Sequence, residues 1–175
     1  SNISQTNLKG WWPLAEGAGD ICYDGSGNGY HGTATNTDGD EWLTGQTGCP
    51  QLVEGYNRKL YFSGDDYVNC GTDSSLNFTT GNFSVSCWIF IHDITDIGYI
   101  VQRGSWGTQG WYIYLDSSGK IQIYTNDSAQ GDPHTQTVSN SSVITANTWH
   151  HVVCVRNGAT GVIYVDGTNE TASGD

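Results

Sequence analysis

The chain has 175 residues, 6 Lys and Arg against 18 Asp and Glu, and a net charge of -12 at pH 7. One domain of that length buries a substantial core. The acidic excess excludes nucleic acid and anionic lipid as main partners, because phosphate recognition needs clustered cations.

Only 14% of residues are charged, and Gly, Ser, Thr and Asn abound. That is the composition of an extracellular all-β protein rather than of a cytosolic enzyme. No stretch has the apolar length of a membrane span, so membrane insertion is not expected. The chain opens on Ser1 without a signal peptide and contains no methionine, and it reads as a mature or excised segment. Cys22, Cys49, Cys70, Cys87 and Cys154 are widely spaced, with no CxxC pair and no histidine at zinc spacing. Export would favour disulfides and leave an odd thiol over; otherwise the five are small buried hydrophobes.

In chain order, residues 1–10 are polar and residues 8–14 read as a first strand, which Pro13 confines to an edge or a strand end. A short strand over 21–23 leads into the loop Asp24-Gly25-Ser26-Gly27-Asn28-Gly29-Tyr30-His31-Gly32. Four glycines in nine residues let the backbone reach positive φ and fold back on itself. The loop offers the Asp24 carboxylate, the Asn28 amide oxygen and carbonyls near Gly25, Gly27 and His31. Oxygen ligands on a bent backbone suit Ca²⁺, which takes about six to eight of them. An ordinary polar turn has the same residue types, and both readings stand at this point.

Residues 33–58 are irregular, with Trp42 and Leu43 as anchors and an acidic cluster, Asp38-Gly39-Asp40-Glu41, read as solvated. Residues 60–62 and 67–70 flank Ser63-Gly64-Asp65-Asp66, which reads as a hairpin turn with Asp65 and Asp66 as turn formers. Residues 83–91 form the strongest strand, apolar on both faces towards its end as a central strand would be. A strand over 99–102 follows, then a hairpin of 111–115 and 120–124 about a turn at 116–119, then another of 149–155 and 162–165. No segment shows helical periodicity. Many short strands with frequent turns predict a two-sheet antiparallel β-sandwich or jelly roll.

A catalytic constellation is absent from the sequence. The glutamates are Glu16, Glu41, Glu54 and Glu170, and none falls in a Glu-x-Asp-x-x-Glu spacing, which would put carboxylates for glycoside cleavage on one strand. His150 and His151 are adjacent on a strand and so point to opposite faces, which makes at least one of them structural. Sugar recognition needs aromatic faces and planar polar groups. If Ile113, Leu115, Ile121 and Ile123 face the core, Tyr112, Tyr114, Gln122 and Tyr124 line the opposite sheet surface, with Trp106 at its rim.

The order of motifs resembles the laminin G-like, concanavalin A-like jelly-roll domains. Gly10-Trp11-Trp12-Pro13-Leu14 and the 24–32 loop are similar to their opening. Leu60-Tyr61-Phe62-Ser63-Gly64-Asp65-Asp66-Tyr67-Val68 is similar to a second signature, and Phe83-Ser84-Val85-Ser86-Cys87-Trp88 to a third. Trp149-His150-His151-Val152 through Tyr164-Val165-Asp166-Gly167 is similar to a fourth.

The resemblance implies a single domain over 1–175, two stacked antiparallel sheets, and a non-catalytic module binding a glycan or polysaccharide outside the cell or on a virion. It implies Ca²⁺ near Asp24, Gly25, Asn28 and His31. Domains of this kind continue past Tyr164-Val165-Asp166-Gly167 into further strands. The expectation is therefore a sandwich whose last strands are missing or supplied by a neighbouring chain at an open sheet edge, with a structural assembly role as the alternative and an enzyme fragment as the third. The related pentraxins bridge strands equivalent to 83–91 and 149–155 at the positions of Ser86 and Val153. Moving both cysteines by one residue keeps them on a common face, so the resemblance implies a Cys87–Cys154 disulfide.

Overall fold

The computed structural model describes residues 5–37, 41–44, 58–78, 81–95, 98–104, 110–126 and 134–173. Among them the regular structure is β-strand, apart from single 3-10 turns at Gln5–Asn7 and Ser74–Leu76. The chain divides into two compact units, Ser1–Leu76 and Asn77–Asp175.

The first unit holds β1 (Ile21–Cys22), β2 (Gly32–Thr35), β3 (Trp42–Thr44), β4 (Arg58–Leu60) and β5 (Tyr67–Asn69). An antiparallel sheet runs β1-β2-β5, and β3 pairs with β4. Gly32 faces Cys22 across the first ladder. A Cβ there would lie 2.3 Å from the Val68 side chain and 3.1 Å from the Cys70 sulfur, so only glycine lets the outer strands close over β2.

Three expectations fail here. Residues 8–14 form no strand, since their donors and acceptors go to the 24–32 loop instead. The segments around 63–66 are not hairpin partners either, because β4 joins β3 while β5 joins β2. The turn itself closes as read, with the Asp66 carboxylate accepting the Ser63 N–H at 2.7 Å and the Asp66 N–H reaching the Ser63 carbonyl at 3.1 Å. Turn chemistry fixes its own closure, not the sheet each flanking strand enters. Glu41, read as solvated, is buried at 5% exposure, while Asp38 to Asp40 lie outside the described residues.

The second unit holds β6 (Phe83–Phe90), β7 (Gly98–Arg103), β8 (Gly110–Leu115), β9 (Ile121–Asn126), β10 (His134–Val138), β11 (Trp149–Asn157), β12 (Thr160–Val165) and β13 (Thr168–Asn169). One sheet has the order β10-β9-β8-β7 and the other β13-β12-β11-β6. Trp111, Ile113, Leu115, Ile121 and Ile123 of the first sheet meet Phe83, Val152, Cys154, Ile163 and Val165 of the second in one buried cluster. Each large side chain buried there contributes roughly 1.5–3 kcal/mol. The sheets are tied where β10 ends, by Ala172 N–H to the Val138 carbonyl at 2.9 Å and Asn140 N–H to the Glu170 carbonyl at 2.7 Å. Where β10 and β12 approach, a Cβ on Gly161 would lie 2.2 Å from the Thr137 hydroxyl oxygen.

Both predicted hairpins form, β8–β9 and β11–β12. Strand β6 forms too, but as the edge of its sheet among the described strands, with Ser84, Ser86 and Trp88 exposed on its outer side. Its two-faced apolar look comes from Trp88 and Phe90, whose rings lie against His151 and Trp149 on the outer surface.

Candidate functional site

The 24–32 loop is built around the Asp24 carboxylate, which is 7% exposed. One oxygen accepts the Trp11 and Ser26 N–H groups at 3.0 and 2.8 Å; the other accepts the Ser26 hydroxyl and the Tyr30 N–H at 2.8 and 3.0 Å. Burial pushes this carboxyl's pKa up, but the donors from Trp11, Ser26 and Tyr30 outweigh it and hold it below the ordinary 3.8. The Asn28 NH₂ donates to the Leu8 and Lys9 carbonyls at 2.9 and 3.1 Å. His31 Nδ1 accepts the Asp24 N–H at 3.1 Å, and Gly25 N–H donates to the Trp11 carbonyl at 2.7 Å. Gly27 and Gly29 sit at φ 88° and 80°, as the glycine spacing requires.

The loop does not fit Ca²⁺. A carboxylate offers about four lone-pair positions, and each of Asp24's is taken by an N–H or O–H donor. Ligation would strip those donors, leaving partly buried N–H groups unpaired at up to about 1–3 kcal/mol each. Among the described residues no three His, Cys, Asp or Glu side chains are grouped to hold a metal ion.

The second candidate is the outer face of the β7–β10 sheet. Register places Gln102, Tyr112, Tyr124 and Gln136 in one row and Tyr99, Tyr114, Gln122 and Val138 in the next. The aliphatic side is core, as the alternation predicted. The tyrosine side departs from the expected open platform, since Tyr112, Gln122 and Tyr124 are 5%, 8% and 7% exposed. Their surfaces are spent on one another. Tyr112 and Tyr124 stack at 4.8 Å and 9°, and Tyr112 lies 5.6 Å from both Tyr99 and Tyr114. Gln122 accepts the Tyr114 hydroxyl at 2.5 Å and the Gln136 amide at 2.6 Å, and its own amide donates to Asp116 at 2.7 Å.

What this face presents outward is Tyr99, 54% exposed, half-buried Tyr114, and the exposed amides of Gln102 and Gln136. Trp106 lies outside the described residues. Burial raises the Tyr112 phenol's pKa, as do neighbouring Tyr124, Tyr114 and Tyr99; burial, then Asp116 and Tyr99, raises that of Tyr114. Both phenols therefore stay protonated, and that of Tyr114 donates to Gln122. The carboxylate that reaches this face, Asp116, accepts the Ser118 and Lys120 N–H groups at 2.8 and 3.1 Å besides Gln122. Sequence reading missed Tyr99, Gln102 and Gln136. Only the register past the irregularity between Tyr99 and Val101, and a polar strand β10, bring them into the rows.

His150 and His151 do point to opposite faces. Buried His150 lies with Nδ1 2.8 Å from Asp166 and Nε2 3.0 Å from the Thr145 hydroxyl, a hydroxyl–imidazole–carboxylate line like a hydrolase triad. Nε2 also accepts the Thr145 backbone N–H at 3.2 Å, so its lone pair is engaged and the group clamps the turn before β11. Asp166, at φ 51°, also accepts the His151 N–H at 2.8 Å. His151 lies across the strand with Nε2 2.8 Å from the Ser86 hydroxyl.

The implied Cys87–Cys154 bridge is not formed; both are free thiols, as are Cys22 and Cys70, and Cys49 lies outside the described residues. Ser86 stands directly opposite Val153, whereas Cys87 faces Val152 and Cys154 faces Val85. In antiparallel strands, a shift of one residue forward on both sides preserves the face but moves the pair to a diagonal, about 7–8 Å apart, which exceeds disulfide reach. Burial pushes both thiols up to about 12.

Residues 62–174 match a laminin G family model described as the concanavalin A-like lectin/glucanases superfamily. No curated protein and no solved structure matches the chain. The matched span takes in β5 and every strand of the second unit, well over half of the sequence. The chain belongs to the concanavalin A-like lectin/glucanases superfamily.

Proposed function

We propose that the protein is a non-catalytic carbohydrate-binding module of an extracellular or virion-surface protein, which engages a neutral glycan on the outer face of the β7–β10 sheet. The observation that carries this reading is the exposed Tyr99 ring beside Tyr114, with the Gln102 and Gln136 amides in adjoining register positions. An aromatic face takes the apolar side of a pyranose, and planar amides serve its hydroxyls. The buried Tyr112–Tyr124 stack and the Gln122 relay hold those groups in place, so little ordering is left to binding. A net charge of -12 favours neutral over acidic glycans. Glycoside cleavage needs two free carboxylates; among the described residues the one reaching this face is Asp116, which its own turn occupies. The family match and the low-charge composition support an extracellular setting.

Affinity electrophoresis and titration calorimetry against neutral and acidic polysaccharides test the reading. Retardation by a neutral polymer, weakened in Tyr99→Ala and Gln136→Ala, is the expected result. Binding that both variants retain in full, or release of reducing sugar from the polymer, would count against it. A structural assembly role has one observation in its favour: β6, an eight-residue edge strand among the described strands with Trp88 exposed, is the kind of edge to which another chain adds. A monomer by light scattering at high concentration argues against that alternative.

A further inference from the structure

We propose that the 24–32 loop is a cation-free clasp, in which the Asp24 carboxylate and the Asn28 amide together occupy the places that an ion and its ligands would take. The loop is electrostatically complete without a metal. Its one anion gathers donors from Trp11, Ser26 and Tyr30. The Leu8 and Lys9 carbonyls of the neighbouring segment are met by the Asn28 NH₂ rather than by a cation. The amide orientation follows from its surroundings, because an oxygen in place of that nitrogen would face two carbonyl oxygens.

The clasp has a mechanical role. It binds residues 8–12, which form no strand, to the turn between β1 and β2 through Trp11 N–H to Asp24, Gly25 N–H to Trp11, Asn28 to Leu8 and Lys9, and the Trp12 indole N–H to the Tyr30 carbonyl at 2.7 Å. Residues 8–12 are thereby held by the Asp24 and Asn28 side chains, the Trp12 indole and one backbone hydrogen bond. The role is independent of glycan recognition.

Thermal unfolding of wild-type protein and of Asp24→Asn, each in millimolar calcium chloride and in EDTA, tests the proposal. Expected are equal melting temperatures for the wild type in the two buffers and a loss of roughly 10 °C in Asp24→Asn in both, since an amide cannot accept from every donor. A rise with calcium shared equally by both proteins would place the ion elsewhere and support the clasp. A rise in the wild type that Asp24→Asn abolishes would overturn it. Should Asp24→Asn not fold, calcium is titrated into wild-type protein while the backbone amides of Trp11, Ser26 and Tyr30 are followed by NMR. Shifts at those three amides would overturn the clasp, and their constancy supports it.

Discussion

The 24–32 loop and the outer face of the β7–β10 sheet look alike in sequence, since each clusters polar, turn-forming or aromatic residues of the kind that bind ligands. In the structure they diverge. Asp24 has each oxygen engaged by two donors from its own segment and its neighbour. The sheet face spends Tyr112, Tyr124, Gln122 and one Gln136 donor on internal contacts, yet leaves Tyr99 at 54% exposure and the rest of the Gln136 amide exposed. The lesson is one of lone pairs and ring faces. A polar cluster is a site only to the extent that its groups are not already satisfied, and residue type does not report that.

The sharpest way to break the contrast is to exchange its consequences. Asp24→Ala should cost about 3 kcal/mol, because it orphans the backbone donors of Trp11, Ser26 and Tyr30, while any glycan affinity survives. Denaturant unfolding beside calorimetric titration measures the two quantities on one sample. His150→Ala comes next, at roughly 2 kcal/mol, since it takes the imidazole from Asp166 Oδ2 and from the Thr145 N–H. Chemical denaturation reads it, and an unchanged midpoint would remove His150 from the framework.

Tyr99→Ala should do the reverse of Asp24→Ala. It should weaken glycan binding about tenfold, or about 1.4 kcal/mol, with the melting temperature nearly unmoved. A large stability loss there would make Tyr99 another packing residue and dissolve the contrast.

Acid titration sharpens the same comparison. Asp24, Asp116 and Asp166 are held below the ordinary carboxylate value of 3.8, each against an opposing contribution from burial, by hydrogen bonds that favour the ionised form. A depressed folded-state pKa adds stability that is complete above 3.8 and is lost as pH falls through the lowered values. Melting temperature should therefore hold down to that region and drop below it, and Asp24→Asn should flatten the drop. The smallest effect is on thiol chemistry. With Cys87 and Cys154 pushed up to about 12, native protein at mildly alkaline pH should resist alkylation at both, as peptide mass mapping would record, and unfolding should expose them.

Much of the fold was legible. Strands β8, β9, β11 and β12 follow from alternation plus turns such as 116–119, where Gly119 at φ 72° closes the chain. Strand β10, His-Thr-Gln-Thr-Val, was not legible, because only its register partner β9 gives those polar residues a reason to be extended. The same limit hid the tyrosine face's true rim and the diagonal placement of Cys87 and Cys154. Face is a property of one strand, whereas opposition belongs to two. Residues 8–14 misled for another reason: Trp11, Trp12 and Leu14 supply a strand's composition, while their hydrogen bonds are claimed by Asp24 and Tyr30.

The missing side chain at Gly161 acts as a thickness gauge for the second unit. With 2.2 Å between an imagined methyl and the Thr137 hydroxyl oxygen, β12 can seat against β10 only while that position stays bare. A single added carbon would act as a wedge at the seam where Ala172 and Asn140 lace the layers together, prising that margin open while the aliphatic centre around Ile113 and Ile163 stayed shut. Gly161→Ala thus offers a way to loosen one margin of the sandwich selectively, turning a rigid brick into a hinged one.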